Sequence, residues 1–352
     1  MPQRPWTDRG VGFALLAAVL FGVSAPLAKL LLLGASPQLL AGLLYLGSGV
    51  GLTFVWLMRR NKPREAPLTR RDAPWLAAAI AFGGVLGPLL LMAGLTRTPA
   101  ASASLLLNFE GVFTALIAWF VFRENFDRRI ALGMAAIVAG GVVLSWEGRA
   151  ELGHLVGPIL VVGATLCWAI DNNFTQKISA ADPVQTAMLK GLVAGSVNTT
   201  IGVALGGSLP SLARLVAASL LGFLSYGVSL VLFVLALRRL GTARTGAYFS
   251  SAPFVGAAVS LIVFRERPSF AFGAGAALMA FGVWLHLTEH HEHPHAHELM
   301  EHDHLHVHDE HHQHEHAAGD PPGEPHSHPH RHEPMVHTHS HYPDIHHRHG
   351  HD

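Results

Sequence analysis

Glu110 stands near the middle of a long apolar run, where an acidic side chain costs about 2.5–3.5 kcal/mol on membrane-insertion scales. Such a carboxyl is expected to face a cavity or a partner, either as a proton or cation site or as half of a structural salt bridge. Asn108 precedes it by two positions. In a later run Trp168 is followed by Asp171, Asn172 and Asn173. Successive helical residues turn by about 100°, so three adjacent polar side chains cannot share one neighbour. The expectation is a helix that breaks or lines a wet cavity there, with a helix-ending cap as the plainer alternative. Tyr248 and Ser250 add hydroxyls further on. Glu110, Asn108, Asp171, Asn172, Asn173, Trp168, Tyr248 and Ser250 are thus the candidate substrate or ion pathway. Lys29 and Lys190 are the other charges inside apolar runs. Both are expected to reach an interface along their aliphatic stems, with pairing to Asp171 as the alternative for Lys190.

A second chemistry lies beyond residue 287. Nearly all of the 26 histidines fall there at alternate positions: His293, His295 and His297; His302, His304, His306 and His308; His326, His328 and His330; His337, His339 and His341. Interspersed acids and prolines distinguish this stretch from a plain histidine tag. Neutral imidazoles are ligands for zinc, nickel, cobalt and copper, and alternate residues of an extended chain can close on one ion. A divalent metal (Zn, Ni or Co) bound by the tail is therefore expected, a solubilising or pH-buffering tail being the alternative. Too apolar-poor to fold alone, the tail is expected to be disordered.

Something apolar must position the first set. Of the 352 residues 50% are hydrophobic and 14% charged, well short of the roughly 25% charged in a soluble protein. Apolar runs recur at 10–33, 38–58, 74–95, 100–122, 130–146, 155–174, 184–203, 215–237, 245–264 and 270–287. At about 20 residues each they match a bilayer, and with no water for the backbone each must be a helix. The expected fold is an all-α membrane protein of about ten transmembrane helices. The first run is too long for a signal core and lacks an Ala-x-Ala site, so it is expected to stay. Lys and Arg in the loops favour one side by about three to one, with clusters at 59–71, 123–129 and 238–244, which places both termini in the cytoplasm of a bacterial-type inner membrane. The zero net charge points to no nucleic acid, and Cys167, the one cysteine, is read as a packing residue.

The two halves repeat. Run four ends Phe122-Arg123-Glu124 and run nine Phe264-Arg265-Glu266, and this alignment sets Asn108 opposite Ser250. Leu20-Phe21-Gly22 and Cys167-Trp168-Ala169 hold comparable places in runs one and six. An odd number of helices per half makes the repeats inverted, an architecture of secondary transporters with the substrate site at the repeat interface. The expected division is 1–147 and 148–288 as two five-helix repeats, then 289–352 as the tail. Gly140-Gly141, Gly191-x-x-x-Gly195 and Gly273-x-Gly275 read as close helix contacts.

On these grounds residues 10–287 resemble the EamA-type branch of the drug/metabolite transporter superfamily. The resemblance implies transport, mostly export of amino acids, other metabolites or drugs, without naming a solute. Where run nine has Ala252 and the family-like Pro253, run four departs with Glu110 and Gly111. Three functions follow as expectations: an ion-gradient-driven exporter of a small metabolite, a divalent-metal efflux protein fed by the tail, or a membrane-anchored metal buffer or sensor. Neither an ATP-binding loop nor a catalytic constellation is evident, so no enzyme is expected and no cofactor is required. Partners are the lipid bilayer and a small-molecule or metal-ion substrate, and the oligomeric state is left open.

Overall fold

The computed structural model describes residues 9–59, 67–122, 128–145, 155–178, 181–287, 292–297, 300–306, 326–332 and 335–340. Within the membrane domain it is all helix. Span 1 comprises α1 (Arg9–Gly22) and α2 (Ser24–Leu31), and span 2 is α3 (Pro37–Met58), entered through Ser36, whose hydroxyl caps Leu39 N–H. Span 3 is α4 (Ala73–Ala79), a π-helical stretch Ile80–Leu86 and α5 (Gly87–Leu95); span 4 is α6 (Ala100–Leu106) and α7 (Phe109–Phe122). Spans 5, 6 and 7 are the single helices α8 (Arg128–Ser145), α9 (Val156–Lys177) and α10 (Pro183–Ala204). Span 8 begins with α11 (Leu212–Gly222) and a second π-helical stretch, Phe223–Val228, and leads into α12 (Ser229–Phe249). α12 cannot be one straight rod. The Phe233 and Phe249 rings lie 4.8 Å apart, edge to face, whereas straight helix between them would cover about 24 Å. The chain therefore reverses between them, and the end of α12 with α13 (Ala252–Phe264) forms span 9. Span 10 is α14 (Phe270–Leu287).

The inversion of the repeats is visible in glycine contacts. A Cβ on Gly202 would meet Leu39, one on Gly195 would meet Leu46, and one on Gly49 would meet Gly191 and Leu192, so α3 and α10 run antiparallel at backbone contact. In α8 and α14, Gly140 meets Gly275 while Gly282 meets the Gly133 carbonyl, again antiparallel. Corresponding spans 2 and 7, and 5 and 10, thus oppose each other, as a two-fold axis in the membrane plane requires. The expected Gly140, Gly191, Gly195 and Gly275 contacts are present. Gly141 packs against the Phe109 ring, while a Cβ on Gly273 would meet nothing, which corrects the expectation there. Irregularities repeat as well. The alignment that sets 122 opposite 264 sets Asn108 opposite Ser250, and spans 4 and 9 both break there. It also sets 81–86 opposite 223–228, so the two π-helical stretches fall at matching positions.

Three further expectations need correction. α9 runs unbroken through Asp171-Asn172-Asn173, so the residues neither break nor cap it. Each finds its own partner instead, because the helix turn points them to different neighbours. Lys190 does not reach an interface: it is 9% exposed and ion-paired with Asp171. The third concerns the tail, where short antiparallel ladders join β1 (Glu292–His297) to β4 (Met335–Ser340) and β2 (Met300–His306) to β3 (His326–His332). Disorder was expected there because the stretch is poor in apolar residues, but its alternation has the period of two that strands use, which backbone ladders can adopt. His308 and His341 lie outside the described residues, as do Arg123 and Glu124.

Candidate functional site: a polar centre between spans 3, 4, 6 and 7

Span 3 supplies the scaffold through one local rule. In the π-helical stretch Gly87 N–H bonds the Phe82 carbonyl, five residues back. The next donor in line for Gly83 and Gly84 is residue 88, a proline with no N–H. Both carbonyls are left for side chains, and three arrive. Tyr45 Oη, from α3, donates to Gly83 O at 2.8 Å, and Trp168 Nε1, from α9, donates to the same oxygen at 3.1 Å. Asn198 Nδ2, from α10, donates to Gly84 O at 2.9 Å. Absence of a side chain at Gly83 also admits the Asp171 carboxylate, and absence at Gly87 admits the Trp168 indole.

Charge is gathered beside this scaffold. Asp171, 5% exposed, accepts from Lys190 Nζ through one oxygen and from Thr175 Oγ1 at 3.0 Å through the other. One helical step on, Asn172 Nδ2 donates to Glu110 Oε1 at 2.6 Å. Glu110 lies in the first turn of α7, immediately past the Leu107-Asn108 break, where a helix N-terminus favours an anionic group. It is half-buried, unlike the Asp171–Lys190 pair, and its counterpart in span 9 is Ala252. The centre therefore holds one closed ion pair and, next to it, a carboxyl with an asparagine as its hydrogen-bond donor.

Aromatic rings line the pseudo-two-fold. Phe21 and Trp168, the equivalent residues of spans 1 and 6, meet edge to face at 5.9 Å. Phe21 also contacts Tyr226 at 6.0 Å and Phe249 at 5.5 Å, and Tyr226 contacts Tyr45 at 5.3 Å.

Of the residues read from the sequence, Glu110, Asp171, Asn172 and Trp168 come together here. Asn173 does not join them: its amide bonds Ala169 O within α9. Asn108 is buried towards α14, donating to Leu105 O at 2.8 Å and lying 3.9 Å from Met279 Sδ, so it holds the break in span 4. Tyr248 and Ser250 sit half-buried at the matching break in span 9, where the Tyr248 carbonyl accepts from Ser251. Lys29 donates to the Thr98 carbonyl at the end of span 3. Tyr45, Asn198 and Gly83 were not read from the sequence, although Gly83-Gly84-x-x-Gly87-Pro88 was there to signal orphaned carbonyls. Among the residues whose side chains are described, no three His, Cys, Asp or Glu converge as metal ligands.

Inverted helical repeats around a polar centre define a polytopic membrane protein with an architecture that recurs among transporters. Comparison with known proteins gives the family. The chain belongs to the EamA-like transporter family, matching it over residues 8–146 and 155–288. It is 30% identical, over 76% of its own length and 83% of the relative's, to an uncharacterized transporter of Methanothermobacter thermautotrophicus. It is 33% identical to a probable amino-acid metabolite efflux pump of Salmonella typhimurium, over 51% of this chain and 58% of that protein. A shorter match, 38% identical over 24% of this chain and 74% of the relative, is to the probable 4-amino-4-deoxy-L-arabinose-phosphoundecaprenol flippase subunit ArnE of Pseudomonas fluorescens. A solved crystal structure shares the fold with a TM-score of 0.59 at 18% identity, over 79% of this chain and 95% of that one.

Proposed function

We propose that this protein is a secondary exporter of a small organic metabolite, driven by an ion gradient and working by alternating access around the centre at Glu110. The observation that carries the reading is the contrast between the two acids. Asp171 is neutralised by Lys190, whereas Glu110 stands at a broken helix with a single neutral donor. A carboxyl so placed can take up and release a proton as the cavity opens to either side, while the aromatic rings around Phe21 and Trp168 offer an organic solute an apolar surface. The efflux-pump relative supports an amino-acid-like solute as the first to test. Metal as cargo is less well served. Asp171 is occupied by Lys190 and Asn173 by its own helix, which leaves too few ligands among the described residues facing one point for Zn²⁺, Ni²⁺ or Co²⁺.

Loop charge supports an inner-membrane position with both termini cytoplasmic. A strain lacking the protein, grown across a panel of amino acids, drugs and divalent metals, tests the substrate class. Hypersensitivity to an organic solute, rescued by a variant ending at residue 288, is the expected result. Hypersensitivity confined to metals, and unrescued by that variant, supports the metal-efflux reading instead.

A further inference from the structure

A small cavity lies at the end of the bundle where spans 3 and 5 finish and spans 4 and 6 begin, and it shares no residue with the centre at Glu110. It measures about 100 Å³; Arg97, Thr98, Ser102 and Ser145 supply its polar wall, and proline and leucine side chains the rest. That room suits a few waters or one small polar group, whereas drug-sized ligands fill about 300–1,000 Å³. Thr98 is 3% exposed, and its hydroxyl has no hydrogen-bond partner. A Cβ on Gly157 would run into that hydroxyl, so a glycine there leaves the oxygen its space. The Ser102 and Ser145 hydroxyls are half-buried, and neither has a partner among the described residues. Arg97 is exposed, with no acid paired to it among the described residues. A second cation stands close by, since Lys29 from span 1 donates to the Thr98 carbonyl; Glu266 is the acid whose charge reaches that lysine.

We propose that this cavity is an oxyanion site, taking the carboxylate or phosphate of a small aqueous anion or the phosphate of a lipid headgroup. A guanidinium stays charged at any physiological pH, and its planar fork of donors fits two oxygens of either group. The hydroxyls of Thr98, Ser102 and Ser145 can donate to the same oxygens. A buried hydroxyl without a partner bears its full desolvation cost until something bonds it, and an anion that Arg97 already attracts is the occupant that does so. A metal cation finds no anionic ligand on the described wall and meets the charge of Arg97 instead. Loop charge puts this end of the bundle outside, so the site is reached from the outer solution or the outer leaflet. The inference stands apart from the transport reading, because it uses other residues and holds whichever solute is carried.

Phosphate salts stabilise many proteins by exclusion from their surfaces, so the test must compare variants and not salts alone. The purified full-length protein in dodecyl maltoside, which carries no phosphate, is melted in rising inorganic phosphate or acetate against chloride at matched ionic strength. A separate series adds phosphatidylglycerol to the micelles. Wild type is compared with Arg97→Gln, with Ser102→Ala/Ser145→Ala, and with Arg267→Gln, which removes an exposed arginine between spans 9 and 10 at the same end of the bundle. The expected result is a saturable rise in melting temperature in wild type and Arg267→Gln. Arg97→Gln is expected to raise the half-saturating concentration about tenfold or more, the worth of one charge-assisted hydrogen bond, and the double serine variant about fivefold. A saturable response to phosphate or acetate identifies an aqueous anion as the occupant, and a response to phosphatidylglycerol alone identifies a lipid headgroup. An equal rise in all four proteins, or no saturable rise with any probe, overturns the proposal.

Discussion

Burying an ion pair is tolerated only while both partners are present, and Asp171 with Lys190 illustrates the condition. Lys190→Met leaves a carboxylate uncompensated and is expected to cost about 3–5 kcal/mol. Asp171→Asn in the same chain should recover most of it. Thermal unfolding of the single and double variants in detergent checks this, and additive losses would mean that the two residues act apart. Asn172→Ala removes the donor to Glu110 without touching the pair, so it is expected to spare stability while lowering transport. Glu110 and Asp171 were legible in the sequence because a charge in an apolar run has few innocent explanations. Tyr45 was not, because a tyrosine in such a run most often bonds a neighbouring helix, and the oxygen it seeks exists only once Pro88 has denied a donor to Gly83. The pairing of Lys190 was open for a similar reason. Its long stem can reach an interface or a partner, and only the packing of α9 against α10 and the span 3 scaffold selects between them.

Helices were the most legible elements, since lipid removes every alternative to them. Expected spans and observed helices agree to within a few residues except between spans 8 and 9, where α12 is helical through the expected 238–244 loop, and span 10 was placed at 270–287 in both. Irregularities within spans were less visible. Three adjacent polar residues suggested a break in α9, which is continuous, while the π-helical stretches of spans 3 and 8 were not anticipated, although Gly83, Gly84 and Pro88 mark the first. Helices break here where backbone bonding fails, and polar side chains alone do not cause it. Close packing adds a prediction at the same scale. A Cβ at Gly195 meets backbone atoms of Leu46, which cannot swing aside as a side chain would, so Gly195→Val should push α3 and α10 apart and prevent assembly. Gly273→Val, facing open space, is expected to fold normally. Size-exclusion profiles of the two detergent-solubilised variants distinguish them, and equal monodispersity would show that the α3–α10 contact is less tight than it looks.

Across the whole molecule, the proposed mechanism takes its two routes of access from the inversion of the repeats and its one coupling group from their asymmetry. Spans 4 and 9 break at matching positions, yet only span 4 carries an acid in the following turn, with Ala252 in its place in span 9. Orientation remains an expectation from loop charge, and it makes a separate prediction. Cysteines introduced at residue 350 should resist membrane-impermeant maleimide in intact cells and react after permeabilisation; labelling in intact cells would reverse the topology. The central claim is that Glu110 couples an ion gradient to solute movement. It is tested most directly in proteoliposomes by comparing gradient-driven accumulation with solute exchange at zero gradient, for wild type and Glu110→Gln, using the solute found in the growth panel. Wild type is expected to do both. Glu110→Gln is expected to keep exchange and lose accumulation under an imposed pH difference, because a site without a titratable proton can still alternate when loaded. Full gradient-driven accumulation by Glu110→Gln would contradict the account.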